Sequence, residues 1–484
     1  MSKNVAKKDK KAPKVNKIIP IILCVIQFIS STALIISLKR LNLLQLWQLF
    51  LAAFILYALV ALNIYKLIFS KHARRWIKVT LAIISVVITI ITSIGFKYVR
   101  QTVDFIENIT GAHHETQTYK VLVLKTARYD NIEQLNQQHI GFLNTNPNLE
   151  NTKNTLKRKI DYKDTNYSEL GTLVAGISDY KVSAIVLADS YLEFLEENNQ
   201  EFAEKTKVIY EYEVRIDEEK DIKRVNVATD PFIIYISGSD SRIGLNDTAR
   251  SDVNILAVVR PKDAKILLVS IPRDYYVQLH GTTGTKDKLT HAGIYGTQMS
   301  KKTIEDLLGI NINYTIKVGF STVINIVDAV GGIDIDSDQA FTAWTNKDCR
   351  FTKGTQHVDS ACALAFSRER YSYATGDRHR GENQQQVITK LVEKFSNPHY
   401  LINYPRIISA AEGSFETNLS YDEITDFARY QLAELKSWKV ESISLDGTGA
   451  MLPTYSIGSQ KLYVMLPNQA TIDSAKFKIA EYLK

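Results

Sequence analysis

Arg368, Arg370, Asp377 and Arg380 crowd into thirteen residues, with Arg378 in the same run and Gln384 just beyond. Guanidinium groups at this spacing repel one another, and the nearby Asp and Glu residues do not offset them all. A guanidinium presents a planar fork of N–H donors that pairs two phosphate oxygens at once, which the point charge of lysine cannot do. The run therefore points to a phosphate or pyrophosphate clamp lying off a helix face. A solvated basic patch is the plainer reading of the same residues.

Further candidates stand at strand ends, where α/β folds bind ligands. The continuously apolar Phe232-Ile-Ile-Tyr-Ile236 reads as a buried strand running into a small polar loop at 237–241, with Asp240 and Arg242 at its end. Segments 253–259 and 265–271 are strands of the same kind, joined by a turn at Pro261-Lys-Asp263. The first of these begins after Arg250 and Asp252; the second ends in Ser270-Ile-Pro-Arg-Asp274. If the 232–236 and 253–259 strands are neighbours, Asp240 and Asp252 meet at one edge. Two carboxylates facing phosphates suit Mg²⁺ or Mn²⁺, hard cations that take oxygen ligands. Pairing of each carboxylate with its neighbouring arginine is the alternative. Arg273 follows a buried strand and a proline that fixes its exit, so it is held at the sheet rim, as a ligand group or as an ordinary strand-end arginine. Lys288, in Asp287-Lys-Leu-Thr-His-Ala292, is another candidate phosphate contact, and His291 beside it reads as a core histidine. No Cys/His metal motif, Ser–His–Asp order or phosphate-binding glycine loop stands out.

The elements that must position these groups run strand–strand–strand–helix–strand–helix–strand and then helices at 384–395, 421–435 and 471–483, with a helix at 360–366 delivering the arginine cluster. This order predicts an α/β fold over 228–484, a mixed central sheet flanked by helices. Ahead of it, 119–220 reads as a smaller α/β accessory domain: a strand at 119–126, a helix at 132–142, a strand at 183–188, a helix at 190–200 and an edge strand at 207–215. It carries no chemical constellation and fits a spacer. The charged stretch 218–223 separates the two.

The net charge of +7 over 484 residues is unevenly spread. Residues 1–78 hold fourteen Lys and Arg against Asp9 alone, a net +13, which leaves −6 on the other 406. The basic character thus belongs to the N-terminal segment, which argues against nucleic acid as the partner of the remainder. That segment holds apolar runs at 18–38, 43–69 and 79–96, each about the length that spans a bilayer. Lysines crowd the tail at 1–17, four basic residues (Lys71, Arg74, Arg75, Lys78) sit between the second and third runs, and only Lys39 and Arg40 lie between the first two. The bias toward cytoplasmic Lys and Arg predicts a cytoplasmic N-terminus and an extracellular region beginning near 97, led by a polar stalk at 97–118. The tail suits anionic lipid headgroups, with DNA as the lesser alternative. Cys349 and Cys362 fall outside the membrane, so a disulfide between them is permitted without being required.

The blocks Gly238-Ser-Asp-Ser-Arg242, Arg250-Ser-Asp252, Ser270-Ile-Pro-Arg-Asp274, Asp287-Lys-Leu-Thr-His-Ala292 and Ala365-Phe-Ser-Arg-Glu-Arg370, running on to Gly376-Asp377 and Gln384-Gln385, together resemble the LytR-CpsA-Psr family, and more closely its streptococcal capsule branch of CpsA type. The likeness is strong over about 228–395 and looser beyond. It implies an enzyme that transfers capsular polysaccharide from a polyprenyl-pyrophosphate lipid to peptidoglycan, with residual pyrophosphatase action conceivable and other capsule assembly proteins as partners. By matched positions, Asp240 and Asp252 would hold Mg²⁺, Arg250, Arg273, Arg368, Arg370 and Arg380 would grip the pyrophosphate, Gln384 would orient it, and Asp377 would take a structural or base role. Arg242 and Lys288 remain substrate-binding candidates. Asn383 stands where the family often has a basic residue, and Arg378 has no fixed counterpart. Two other functions stay open: a carrier-binding or pyrophosphatase module without a glycan acceptor, and a membrane regulator of capsule gene expression acting through the tail. A long prenyl chain also needs an apolar groove, which the apolar strands and 322–330 could line.

Overall fold

The computed structural model describes residues 18–70, 74–110, 115–146, 148–216, 222–239, 245, 247–397 and 404–484. The chain divides into two compact units, 1–104 and 105–484.

The first unit is built from three apolar helices: α1 (Ile18–Leu41), α2 (Leu46–Asn63, continued by a π-helical turn over Ile64–Phe69) and α3 (Arg75–Thr110). All three are long and apolar enough to cross a membrane. A fully buried amide joins them: Gln27 Oε1 accepts from Asn63 Nδ2 at 2.9 Å and from Ser85 Oγ at 2.5 Å. In an apolar surrounding such a side chain needs partners on its neighbours, so this contact fixes which faces meet. The stretch 97–118, expected as a polar stalk, is instead helical to Thr110 and becomes strand from Thr116. Phe105, Ile106 and Ile109 recur there at helical spacing and are buried.

Among its described residues the second unit contains two large sheets and four two-stranded ones. The smaller has the order β3-β2-β4-β1-β5, from β1 (Thr116–Leu124), β2 (His139–Leu143), β3 (Lys163–Tyr167), β4 (Ala184–Ala188) and β5 (Thr206–Arg215). Helices α4 (Leu149–Lys157), α5 (Leu170–Ser178), α6 (Asp189–Asn198) and α7 (Gln200–Lys205) accompany it. The helix expected at 132–142 is a single 3₁₀ turn, Ile132–Leu135, followed by β2. Gln137 takes φ +63°, which no helix accommodates, and the chain turns there into the sheet.

The larger sheet starts with β6 (Phe232–Ser239), β7 (Ser251–Arg260) and β8 (Lys265–Ser270). The short pair β9 (Tyr276–Val277) and β10 (Asp287–Lys288) follows, then α8 (Leu289–Ala292), α9 (Thr297–Leu308), β11 (Tyr314–Gly319) and α10 (Phe320–Ala329). Next come β12 (Ile333–Ser337), β13 (Phe341–Thr342), β14 (Arg350–Phe351), β15 (Gly354–Val358), α11 (Ser360–Arg368), α12 (Asp377–Ser396), α13 (Tyr404–Ala411), β16 (Phe415–Thr417) and α14 (Tyr421–Glu434). The chain closes with β17 (Lys439–Ser444), the hairpin β18 (Gly447–Thr454) and β19 (Gly458–Pro467), and α15 (Gln469–Tyr482). The sheet order is β16-β11-β6-β7-β8-β17, with β6–β11 and β8–β17 parallel and the other pairs antiparallel, so the mixed α/β sheet is as predicted. Its last strand, β17, lies between the helices expected at 421–435 and 471–483, where the sequence reading placed no element. Lys-Val-Glu-Ser-Ile-Ser is a half-exposed edge pattern that the hydrophobic reading passes over.

Continuous apolar strands are explained by helices on both faces. On one, Ile233, Tyr235, Leu256, Val258, Leu267 and Val269 pack with Ile304 and Leu308 of α9 and Ile472, Ala475 and Ile479 of α15. On the other, Phe232, Ile255, Ala257, Val259 and Leu268 meet Ile388 of α12 and Phe427 of α14. Cys349 and Cys362 form a disulfide that ties the β13–β14 hairpin to α11.

The two sheets are joined through buried polar groups. Asp247, 4% exposed, accepts from the backbone N–H of Thr118 at 3.0 Å and of Thr248 at 3.1 Å. Lys317 donates to the Asp247 carbonyl at 2.8 Å and to Glu115 at 2.9 Å. Burial pushes the Asp247 carboxyl up to about 6 from an ordinary 3.8, against the pull of the two N–H donors. A carboxyl raised on folding contributes stability that is complete below about pH 4 and lost as pH rises through about 6, a change of about 3 kcal/mol. Asp247→Asn keeps an acceptor for both N–H groups and carries no charge. Denaturant unfolding of both proteins is expected to show the wild type losing about 2–3 kcal/mol relative to the variant between pH 4 and pH 7; a difference independent of pH would contradict this account.

Candidate functional site

The antiparallel register sets Ile255 of β7 opposite Ser270 at the end of β8, and Ser251 opposite Ser239 at the end of β6. Asp252 and Arg273 therefore reach the same edge of the sheet from opposite chain directions. The start of α12 covers this edge. Gly376, at φ +50°, turns the chain into the helix. Gly381 lets the helix lie against β8, since a Cβ there would stand 2.4 Å from Ser270 Oγ. Gln385 then fixes the helix, donating from Nε2 to the carbonyls of Leu268 at 3.1 Å and Ile443 at 2.7 Å. Asn383 donates to the carbonyl of Phe366 at 3.0 Å and so ties α12 to α11.

Asp377, Arg380 and Gln384 follow the i, i+3, i+7 spacing and share the helix face toward this edge. The cluster expected off a helix is thus split. Arg368 ends α11 and Arg370 lies just beyond it, whereas Asp377, Arg378, Arg380 and Gln384 stand on the first turns of α12.

Arg273 Nη1 donates to Asp252 Oδ1 at 2.8 Å, and its Nε lies 3.8 Å from both Asp377 Oδ1 and Asp274 Oδ2. Thr290 donates to Asp252 Oδ1 at 3.2 Å, and Arg380 Nη2 sits on Asp377 Oδ1. Arg273 Nε and Asp377 Oδ1 are buried and make no well-aligned hydrogen bond. Among these groups is a cavity of about 10 Å³, room for one water, lined by Asp252, Asn254, Ser270, Arg273, Asp377, Arg380, Gly381 and Gln384.

The electrostatics follow from burial. Desolvation opposes the charge of Asp252, but Arg273, Arg380 and Arg250 together hold its carboxyl below the ordinary range. Desolvation likewise opposes Arg273, and Asp252, Asp274 and Asp377 outweigh it, so its pKa is raised. Asp377 goes the other way. Burial lifts its carboxyl above the ordinary value, Arg380 and Arg273 pull it back, and Asp274 and Asp252 add to the rise. Arg380 is lowered, first by burial.

Asp252, Arg273, Asp377, Arg380 and Gln384 are therefore brought together, and Arg250 and Arg370 act on the group through their charge. Arg378 lines the cavity but pairs with Asp446 at 3.0 Å and Glu382 at 3.3 Å. Lys288 pairs with Asp274 at 2.8 Å, the carboxylate that also lies 3.8 Å from Arg273 Nε. The Arg368 guanidinium lies 4.1 Å from the centre of the Phe320 ring. Asp240 and Arg242 lie outside the described residues. The hydrogen-bonded partner of Asp252 comes from the end of β8, and Arg250, its partner in the plainer reading, acts on it through charge. His291 is buried and bonded to Asp287 at 2.7 Å and Ser456 at 2.9 Å, as a core histidine. Asp274 and Thr290 were missed as site residues, although both lie inside blocks that carried the resemblance.

Among the described residues no group of three or more His, Cys, Asp or Glu could hold a metal by itself. The donor set is still compatible with Mg²⁺, which keeps few protein carboxylates when phosphate oxygens and waters complete its shell.

On the α12 face of the sheet a second cavity, of about 270 Å³, is lined by Phe232, Ile234, Ile236, Ala257, Val259, Ile266, Leu268, Ile388, Val392, Ile424 and Phe427. The strands line it as expected. Segment 322–330 does not: Val327 and Val330 pack into a separate core with Ile333, Ile335 and Phe366.

The sequence profile of the LytR_cpsA_psr family matches residues 195–472. The polyisoprenyl-teichoic acid–peptidoglycan teichoic acid transferase TagU of Enterococcus faecalis is 35% identical over 225 residues, 46% of this chain and 72% of the relative. TagU of Bacillus mycoides is 33% identical over 253 residues, 51% of this chain and 81% of the relative. The crystal structure of B. subtilis TagV aligns with 53% of this chain and 98% of its own at 28% identity and a TM-score of 0.44. With more than half of its length matched by the family profile, and with such relatives, this chain belongs to the LytR_cpsA_psr family.

Proposed function

We propose that this protein is a membrane-anchored transferase that moves a glycopolymer from a polyprenyl-pyrophosphate carrier to peptidoglycan, with its catalytic region outside the cell. Capsular polysaccharide is the polymer implied by the sequence resemblance; the relatives are named for teichoic acid. The observation that carries the reading is the face of α12. Asp377, Arg380 and Gln384 line the charged cavity, and Ile388 and Val392 continue at the same spacing into the apolar one. At 1.5 Å per residue, Arg380 and Ile388 stand about 12 Å apart along the helix. One rigid element thus offers an anion site followed by an apolar slot, in the order of the head and tail of a prenyl diphosphate.

In this reading Arg273 and Arg380, aided by Arg250, Arg368 and Arg370, take the diphosphate oxygens and stabilise the charge that develops as the sugar–phosphate bond breaks. Asp252 together with Asp240 would hold Mg²⁺, which would neutralise further charge on the leaving group. Asp377, paired with Arg380, would accept the proton of the acceptor sugar hydroxyl. Gln384 orients the head group. Residual pyrophosphatase action would differ in the bond broken: water would attack phosphorus, the P–O–P bond would break, and the same arginines would neutralise the departing phosphate.

Three outcomes test this. Arg273→Ala removes one charged contact, about 1.5–3 kcal/mol, and is expected to weaken carrier binding ten- to a hundredfold. Cells carrying it shed polymer into the medium at unchanged transcript levels; equal wall-bound polymer in variant and parent would count against the transferase, and a changed transcript level would favour the regulator. Asp377→Asn is expected to lower transfer about 10²–10⁴-fold while leaving carrier binding intact. Because burial raises Asp377, the base form appears only as pH climbs above the ordinary carboxylate range, so wild-type transfer falls on the acid side there and the variant lacks that limb. Ala257→Phe fills the apolar cavity: thermal stability is expected to hold or rise while prenyl diphosphate affinity drops, and unchanged affinity would remove the tail from this slot.

A further inference from the structure

Two large aromatic rings lie open to solvent next to the arginine run. Trp344 is 60% exposed and Tyr371 59%, with ring centroids 4.9 Å apart at 48°. Exposed rings of this size on a polar surface need a reason, and these are held in place. Glu369, fully buried, accepts the backbone N–H of Trp344 on Oε2 at 2.6 Å. Its Oε1 accepts the N–H groups of Arg370, Tyr371 and Ser372 at 3.1, 2.8 and 3.0 Å. One carboxylate therefore locks both aromatic residues to a common frame. The hairpin that carries Trp344 is fixed a second time by the Cys349–Cys362 disulfide to α11, which ends in Arg368. The disulfide also sits in the core beneath the hairpin, with Ala343, Phe351 and Phe366, so the exposed rings stand on a closed base.

The rim is cationic. Lys347 Nζ is 4.5 Å from the Trp344 ring centre. Arg370 donates to Tyr371 Oη at 2.6 Å with its guanidinium 4.7 Å from that ring, and it lies close enough to Arg380 for their charges to repel. The aromatic pair is thus continuous with the proposed diphosphate clamp through one side chain.

We propose that Trp344 and Tyr371 form a saccharide platform that takes the sugar residues next to the pyrophosphate of the lipid-linked glycan. The C–H faces of a pyranose carry partial positive charge and match the negative face of an aromatic ring, a contact that tolerates different sugars. Lys347 and Arg370 at the rim donate to hydroxyl or acidic substituents. The inference rests on the carrier-lipid reading above, because that lipid bears a sugar directly on its diphosphate.

The experiment measures binding of two probes to the full chain in detergent micelles: a prenyl diphosphate without sugar, and the same lipid bearing a short oligosaccharide. Trp344→Ala is expected to bind the glycosylated probe about tenfold more weakly and the bare probe as the wild type does, the latter also showing that the variant is folded. Trp344→Phe is expected to keep most of the affinity for the glycosylated probe. Tyr371→Ala is not used, since it also alters Arg370. Loss confined to the glycosylated probe supports the platform. Unchanged binding of both probes by Trp344→Ala overturns it and leaves the rings to a protein partner, and equal loss for both overturns it by tracing the effect to the clamp. If the wild type binds neither probe, the carrier-lipid reading falls and the platform with it.

Discussion

Buried guanidinium charge governs how this sheet edge is assembled. Arg273 and Arg380 are largely withdrawn from water at one sheet edge, and such charges are tolerated only with opposite charge in contact. Asp252, Asp274 and Asp377 provide it, and Lys288 in turn balances Asp274. The cavity between them admits about one water, so the diphosphate proposed as ligand would not enter a prepared hole. It would have to take over from carboxylates. Binding is then a difference between two sets of ion pairs, which favours a multiply charged, bidentate ligand over any single carboxylate or chloride. The unaligned contact between Arg273 Nε and Asp377 Oδ1 is where that exchange costs least.

A charge cluster of this kind has value only if its members are held in register, and α12 is the element that does so. Its paired glutamines divide the labour: Gln384 lines the cavity while Gln385 is pinned to carbonyls of β8 and β17. Asn383, standing where the family pattern often has a basic residue, is buried and bonded to α11. A cation at that point would have to be neutralised inside the fold. The departure from the family pattern is therefore a packing matter here, and the arginine count at the sheet edge is unaffected by it.

How much of this was legible beforehand depends on sequence distance. Asp252 and Arg273 could be picked out because each abuts a continuous apolar run, and such runs are buried strands whose ends define an edge. Asp377 and Arg380 were visible as a dense charge pattern, but the helix beneath them was not, since Asp-Arg-His-Arg-Gly-Glu-Asn has no apolar periodicity to announce it. The pairing of Asp252 with Arg273, 21 residues apart, follows only from the β7–β8 register. Likewise Trp344, Glu369 and Tyr371 become a unit only when the β13–β14 hairpin folds back on α11. The disulfide is the same case: two cysteines permit a bridge, and only the hairpin's return brings them within reach. Where local pattern misled, as at 132–142, a single residue with positive φ outweighed the apolar spacing.

The smaller sheet meets the larger one where the chain returns from β6 to β7. The connecting loop leaves the sheet at Ser239 and returns at Ser251, and it carries Arg250 at its end. Close to its return, Asp247 is tied to β1, receiving the Thr118 N–H, while a parallel bridge joins Thr116 to the same residue. Lys317 on β11 holds the Asp247 carbonyl, so Asp247 is gripped from both sheets. A residue fixed on two sides leaves less conformational freedom to the chain next to it, and Arg250, whose charge reaches Asp252, stands only three positions further on. The smaller sheet is thus coupled to the end of β7 through backbone and not through any side chain lining the cavity.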